Sequence, residues 1–203
     1  MDGEQILPSR SKKLVYILLN KPLGVVCTAN DPQGRPTVLN LVEQVDTRVY
    51  PVGRLDVDSA GLLILTNDGD FAFRLTHPRF HLSRTYRVTV RGFLERSSAQ
   101  QIQAGIQLSD GITAPAELTF VGYDSTERCT TLDITLYEGR NRQVRRMMDS
   151  VGHPVRALTR ISFGKLTLGR LKPGSWRNLR KEEVEDLLAQ AKPTPRPRQI
   201  KRT

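Results

Sequence analysis

At 203 residues with 38% hydrophobic content, the chain suits one large domain or two small subdomains sharing a sheet. Thirty-one Lys and Arg against 21 Asp and Glu leave a formal charge of +10, a balance that favours nucleic acid as the partner. Arg outweighs Lys among the basic residues, which suits planar, bidentate phosphate contacts. No apolar run is long enough to span a membrane, and no signal-peptide pattern opens the chain. Cys27 and Cys129 form no Cys-x-x-Cys pair, and His77, His81 and His153 lack metal-ligand spacing with them. A metal site is therefore not expected, and a reducing, cytoplasmic compartment is.

Residues 1–13 are polar and irregular and read as a linker or the remnant of a preceding RNA-binding domain. An apolar strand is expected over residues 14–19, a turn over 20–24, and a resumed strand at Val25, Val26 and Cys27. Turn residues make 31–36 a loop, and residues 38–42 suggest a short helix. A turn carrying Pro51 and Gly53 then presents Arg54, Asp56 and Asp58, followed by the fully apolar run from Leu62 to Leu65. Such a run reads as a buried strand, so the carboxylates sit on a loop braced by the core. Asn67 or Asp68 caps a helix bearing Phe71 and Leu75 on one face, stopped by Pro78.

Residues 84–91 alternate cleanly, with Tyr86, Val88 and Val90 on the apolar face of a half-buried strand. Ser97 and Gln100 suggest a capping box for a helix ending at Gly105. Strands are expected over 112–121 and 130–137, the second turning Leu132, Ile134 and Leu136 inward. In the stretch 138–149, Val144, Met147, Met148 and Val151 fall at helical spacing ahead of Gly152. Arg142 and Arg146 point away from that stripe and Arg145 sits on its flank. Extended pieces follow at 155–163, 166–168 and 175–179, then a helix over 182–191 burying Val184, Leu187 and Leu188. The Pro- and Arg-rich tail, 192–203, has no apolar face and is expected to be disordered. Strands and helices without strict alternation indicate an α+β fold with a largely antiparallel sheet.

No Ser-His-Asp set, phosphate-binding glycine loop or dinucleotide fingerprint is present, which leaves carboxylates, tyrosines and arginines for any chemistry. Pairing of Asp56 with Asp58 for hydrolysis is disfavoured, since residues two apart on an extended segment point the same way. Gly53-Arg54-Leu55-Asp56 followed by Gly61-Leu62-Leu63-Ile64-Leu65 resembles the catalytic motif of pseudouridine synthases. Arg84-Thr85-Tyr86 resembles the family's tyrosine strand, the stretch from Glu138 to Met147 its arginine-rich segment, Asn20-Lys21-Pro22 its opening strand, and residues 172–179 its closing one. The arginine-rich form is similar to the branch that modifies ribosomal RNA, the RsuA/RluB/RluE/RluF group, with a lean towards its large-subunit RluB-like members.

The resemblance implies a two-subdomain fold around an RNA-binding cleft, over residues 14–191, and isomerisation of uridine with no cofactor or metal. Carried onto this sequence, Asp56 is the catalytic carboxylate, attacking either the ribose or the uracil ring. Arg145 is its expected counter-charge, and Tyr86 stacks on the flipped base. Arg54 fills the space the base leaves, Arg140, Arg142 and Arg146 contact phosphates, and Leu179 or a neighbour completes the apolar wall. Asp58 is expected to stabilise the loop. Ribosomal RNA is the implied partner of a monomeric protein. Many members of this branch carry a small N-terminal RNA-binding domain that residues 1–8 are too short to replace. The alternative reading is a non-catalytic RNA-binding or ribosome-assembly factor of the same fold.

Overall fold

A computed structural model describes residues 13–191 and Pro193. The expected linker, apart from Lys13, and the expected tail, apart from Pro193, lie outside the described residues. In chain order the elements are β1 (Tyr16–Lys21), a 3-10 turn (Asn40–Val42), β2 (Tyr50–Pro51), β3 (Ala60–Thr66), α1 (Gly69–Thr76), a second 3-10 turn (Pro78–Phe80) and β4 (Arg84–Arg91). There follow α2 (Arg96–Ala104), β5 (Gln107–Leu108), β6 (Gly111–Ile112), β7 (Glu117–Asp124), β8 (Cys129–Leu136) and α3 (Gln143–Ser150). The last are β9 (Val155–Phe163), β10 (Leu166–Thr167), β11 (Trp176–Asn178) and α4 (Lys181–Gln190).

The main sheet runs β11-β1-β3-β9-β4-β8-β7, with β2 paired to β3 and β10 to β9; β5 and β6 form a separate hairpin. All the pairings are antiparallel except β3 with β9. Why β3 is apolar without alternation is now clear: both its faces are covered. Leu62 and Ile64 pack with Phe71, Leu75 and Leu187 of the flanking helices. Leu63 and Leu65 pack on the opposite face with Val38, Val42 and Val49 from the long β1–β2 connection. The other half of the sheet has one such core, where Val88, Leu132 and Ile134 meet Ile102 of α2 and Met147 and Met148 of α3. Its opposite face carries Thr85 against Thr135, Arg87 against Asp133 and Thr89 against Thr131, so β4 and β8 alternate.

Strand β9 joins the two halves. Arg160 registers with Gly61 of β3 on one side and Tyr86 of β4 on the other. Gly61 sits at φ +105°, and a Cβ there would stand 2.2 Å from the Arg160 carbonyl oxygen. Only glycine lets the two backbones approach this closely.

Four local expectations are corrected. Residues 25–27 form no strand; Val26 makes only an isolated bridge to Thr37. Helix α2 starts at Arg96 after Glu95, with no side-chain cap, so Ser97 and Gln100 lie inside the helix rather than framing it. The expected strand 112–121 is broken, because Thr113 turns inward and its hydroxyl accepts from Ile106 N–H, while Ala116 N–H bonds to Gln103. Helix α3 begins only at Gln143, since Arg142 takes a left-handed φ of 47°, leaving residues 138–142 as a loop. In contrast, Asp68 caps α1 by accepting from Phe71 N–H at 3.0 Å.

Candidate active site

The turn between β2 and β3 is built from below. Leu55 is buried, which holds its neighbours Arg54 and Asp56 at the surface. Ser59 N–H closes the turn on the Asp56 carbonyl at 3.0 Å, and Gly24 N–H bonds to Val57 O at 2.9 Å. Beneath it, the fully buried Lys21 at the end of β1 donates from Nζ to the carbonyls of Ser59 (2.7 Å) and Pro22 (3.0 Å). Burial pushes the Lys21 ammonium down, against the pull of Cys27, Asp56 and Asp58. A buried ammonium donating to two carbonyls fixes the loop where an apolar residue would leave the Ser59 carbonyl unpaired.

Asp56 and Tyr86 line one small open cleft of about 230 Å³. Its apolar floor is Leu136 of β8 and Leu158 of β9, and its rim is the loop 138–142. The cleft lies below the range of about 300 Å³ upward typical of drug-sized ligands, a size fit for one flat ring. Tyr86 packs against the cores on both sides of β9, so its position is set by both halves of the sheet.

Four arginines of the motif take different posts. Arg142 reaches across the mouth, its Nη1 3.5 Å from Asp56 Oδ2 and its Nη2 3.2 Å from Asp58 Oδ2. The first is a charge contact at the limit of hydrogen bonding; the second is shorter. Arg145, expected to pair with Asp56, instead donates from Nη2 to the Asp58 carbonyl at 2.7 Å, with Asp58 Oδ2 at 3.3 Å. It is tucked in, with 11% of its side chain exposed. Burial pushes the Asp58 carboxyl up, yet the Arg142 hydrogen bonds and the charges of Arg145 and Arg142 outweigh it and hold the group below its ordinary range.

Arg140 and Arg146, expected at phosphates, are both engaged by neighbouring residues of the protein. Arg140 donates to the carbonyls of Gly111 and Ile112 and pairs with Glu138, pinning the β5–β6 hairpin. Arg146 forms a bidentate pair with Asp110 of the same hairpin, 3.0 Å on both arms. Both sit where they do because α3 starts late, which turns them towards a neighbour that spacing along a helix does not reveal. Arg54 lines the cleft, is exposed, and makes no ion pair among the described residues. Leu179, expected as a pocket wall, packs with the core under α1 and α4 and borders a separate cleft beside Lys13 and Trp176. The wall it was to supply comes from Leu136 and Leu158. Strand alternation already turned Leu136 inward; nothing in the sequence pointed from Leu158 to the cleft.

Among the described residues no group of three His, Cys, Asp or Glu is placed to hold a metal, and no helix is long and apolar enough to cross a membrane. A carboxylate and an aromatic ring lining one small cleft, on a basic α+β scaffold, suit the class of RNA-modifying enzymes that handle one base at a time. Residues 15–150 match the family described as RNA pseudouridylate synthase. The chain is 42% identical over 177 residues to ribosomal large subunit pseudouridine synthase B of Bacillus subtilis, covering 87% of this chain and 72% of that protein. It is 38% identical over 175 residues to ribosomal large subunit pseudouridine synthase E of Vibrio parahaemolyticus, covering 80% and 73%. A crystal structure of a pseudouridylate synthase superposes with a TM-score of 0.74 at 34% identity, over 86% of this chain and 74% of that one. This chain belongs to the RNA pseudouridine synthase family.

Proposed function

We propose that the protein isomerises uridine to pseudouridine in ribosomal RNA, with large-subunit RNA as the substrate. It is read as a cytoplasmic monomer whose catalytic domain spans residues 14–191. The single observation that carries the chemistry is that Asp56 and Tyr86 border one cleft while arginines gather at the neighbouring carboxylate. The substrate class is supported by the large-subunit names of the relatives and the +10 charge.

In this reading the uridine leaves its stack and enters the cleft, where the Tyr86 ring covers it and Leu136 and Leu158 form the floor. Asp56 acts as nucleophile through a transient bond to the ribose or the uracil ring, and that bond breaks to return the free carboxylate once the new glycosidic bond has formed. The bond from ribose carbon 1′ to uracil nitrogen 1 breaks, the ring turns, and a bond from carbon 1′ to carbon 5 forms. Carbon 5 then loses a proton and nitrogen 1 gains one, so atoms and charge balance with no external reagent. Arg142 and Arg145 keep Asp58 ionised and the turn rigid, and Arg54 fills the gap left in the RNA stack.

The test is tritium release from ribosomal RNA labelled at carbon 5 of uridine. Wild type releases label, and Asp56→Asn binds RNA without releasing it. Release by the variant at the wild-type rate overturns the assignment of Asp56. Binding without any release by wild type supports the non-catalytic alternative instead.

A further inference from the structure

Outside the cleft, one surface cluster has a composition that the isomerisation chemistry does not use. Helix α1 buries Phe71 and Leu75 but leaves Phe73 45% exposed. Phe73 is joined by His77, with ring centroids 4.8 Å apart, and by Phe80 at 6.1 Å. Arg79 lies over this group, its Cζ 4.6 Å from the Phe80 centroid and 5.1 Å from that of Phe73. Arg79 is exposed and makes no ion pair among the described residues. His77 Nδ1 accepts from Arg79 N–H at 3.2 Å, which holds the two residues in register.

A guanidinium stacked on rings keeps its in-plane N–H donors directed outward, and the stacking removes rotamer freedom before any ligand arrives. Such an arrangement suits a phosphate, and a half-exposed aromatic beside it suits the face of a base. The cluster is joined to the cleft through neighbouring residues. Thr76 sits against Gly53, next to the cleft-lining Arg54, and Arg84 of β4 donates to Leu75 O at the end of α1, two residues before Tyr86.

We propose that Phe73, His77 and Arg79 form a second RNA contact beside the cleft, where a nucleotide flanking the target uridine stacks on Phe73 and its phosphate pairs with Arg79. This rests on the reading that the substrate is RNA. The occupant is a single-stranded RNA segment, because a base held in a duplex offers no free face for Phe73.

Binding of a labelled oligouridine to the full chain, measured across a salt series, tests the surface. Arg79→Ala lowers the slope of log affinity on log salt by about 0.7, the value for one lost phosphate contact on a single strand. Phe73→Leu keeps apolar bulk without the ring and weakens binding roughly 5- to 150-fold. Lys181→Ala removes one charge from the exposed start of α4 and leaves the slope at the wild-type value. A wild-type slope for Arg79→Ala, wild-type affinity for Phe73→Leu, or an equal loss for Lys181→Ala overturns the proposal. Circular dichroism melts show whether each variant is folded; Phe73 is exposed enough that leucine preserves the helix. Tritium release by wild type is scored separately, so failure of the isomerase reading and failure of this surface give different results.

Discussion

Gly61→Ala probes the contact on which the cleft depends. The added Cβ would lie 2.2 Å from Arg160 O and 2.7 Å from Arg160 N, and both are backbone atoms that no rotamer change can move aside. Strands β3 and β9 would have to separate by roughly 1 Å to restore contact distance. Left-handed backbone costs an alanine about 1–2 kcal/mol, and overpacking adds about 1–3 kcal/mol, for a total of about 2–5 kcal/mol. That is a large part of the ~5–15 kcal/mol that holds a domain folded. The same displacement moves Asp56, five residues before Gly61, relative to Tyr86, which registers with Arg160 from the other side. A misplacement of about 1 Å in reacting groups lowers turnover on the order of 100-fold. Urea unfolding followed by tryptophan fluorescence measures the stability loss, and tritium release measures the turnover. Gly34→Ala is the control: Gly34 has φ +70° but nothing within 4 Å, so it shows the backbone cost alone. Equal destabilisation by the two variants, or wild-type turnover by Gly61→Ala, would refute the argument that this contact sets the site.

Arg142→Ala removes a half-exposed pair, so stability falls by no more than about 1 kcal/mol. Asp58 then loses its first hydrogen-bonding partner and titrates closer to the ordinary carboxylate range, which NMR detection of the side-chain carboxyl carbon would register. An unchanged Asp58 titration would show that Arg145 alone sets it. Leu158→Ala empties part of the cleft floor from a buried position and costs about 2–5 kcal/mol, read by urea unfolding; a loss below 1 kcal/mol would mean the floor is not packed as described. Glu183 at the start of α4 is held at about 2 by hydrogen bonds from Arg177 and the Arg180 N–H. Its folded value lies below the unfolded 4.5, so its contribution is complete above pH 4.5 and is lost as pH falls from there towards about 2. Glu183→Gln should flatten the acid limb of a stability–pH profile in that window, and an unaltered limb would assign the acid loss elsewhere.

The sequence by itself determined the elements whose signals are local. Alternation fixed β4 and β8, Asp68 announced the start of α1, and the Gly53–Asp56 stretch marked the turn that borders the cleft because short motifs carry their geometry with them. Leu62 to Leu65 read as a buried strand, although only the tertiary structure shows two different cores on its two faces. The partners of the arginines were not legible. Helical spacing placed Arg145 near a pocket, but which carboxylate it meets depends on where α3 begins, and that start is set by the left-handed Arg142 rather than by the apolar stripe. Arg140 and Arg146 were committed to the β5–β6 hairpin by contacts with residues 28 to 36 positions away, a separation that no sequence period reports. Likewise Leu158 replaced Leu179 as cleft wall because β9, distant from both motifs in the chain, lies between the strands that bring Asp56 and Tyr86 together. Residue chemistry is local and survives in the sequence; the choice of neighbour is made by the order of strands in the sheet.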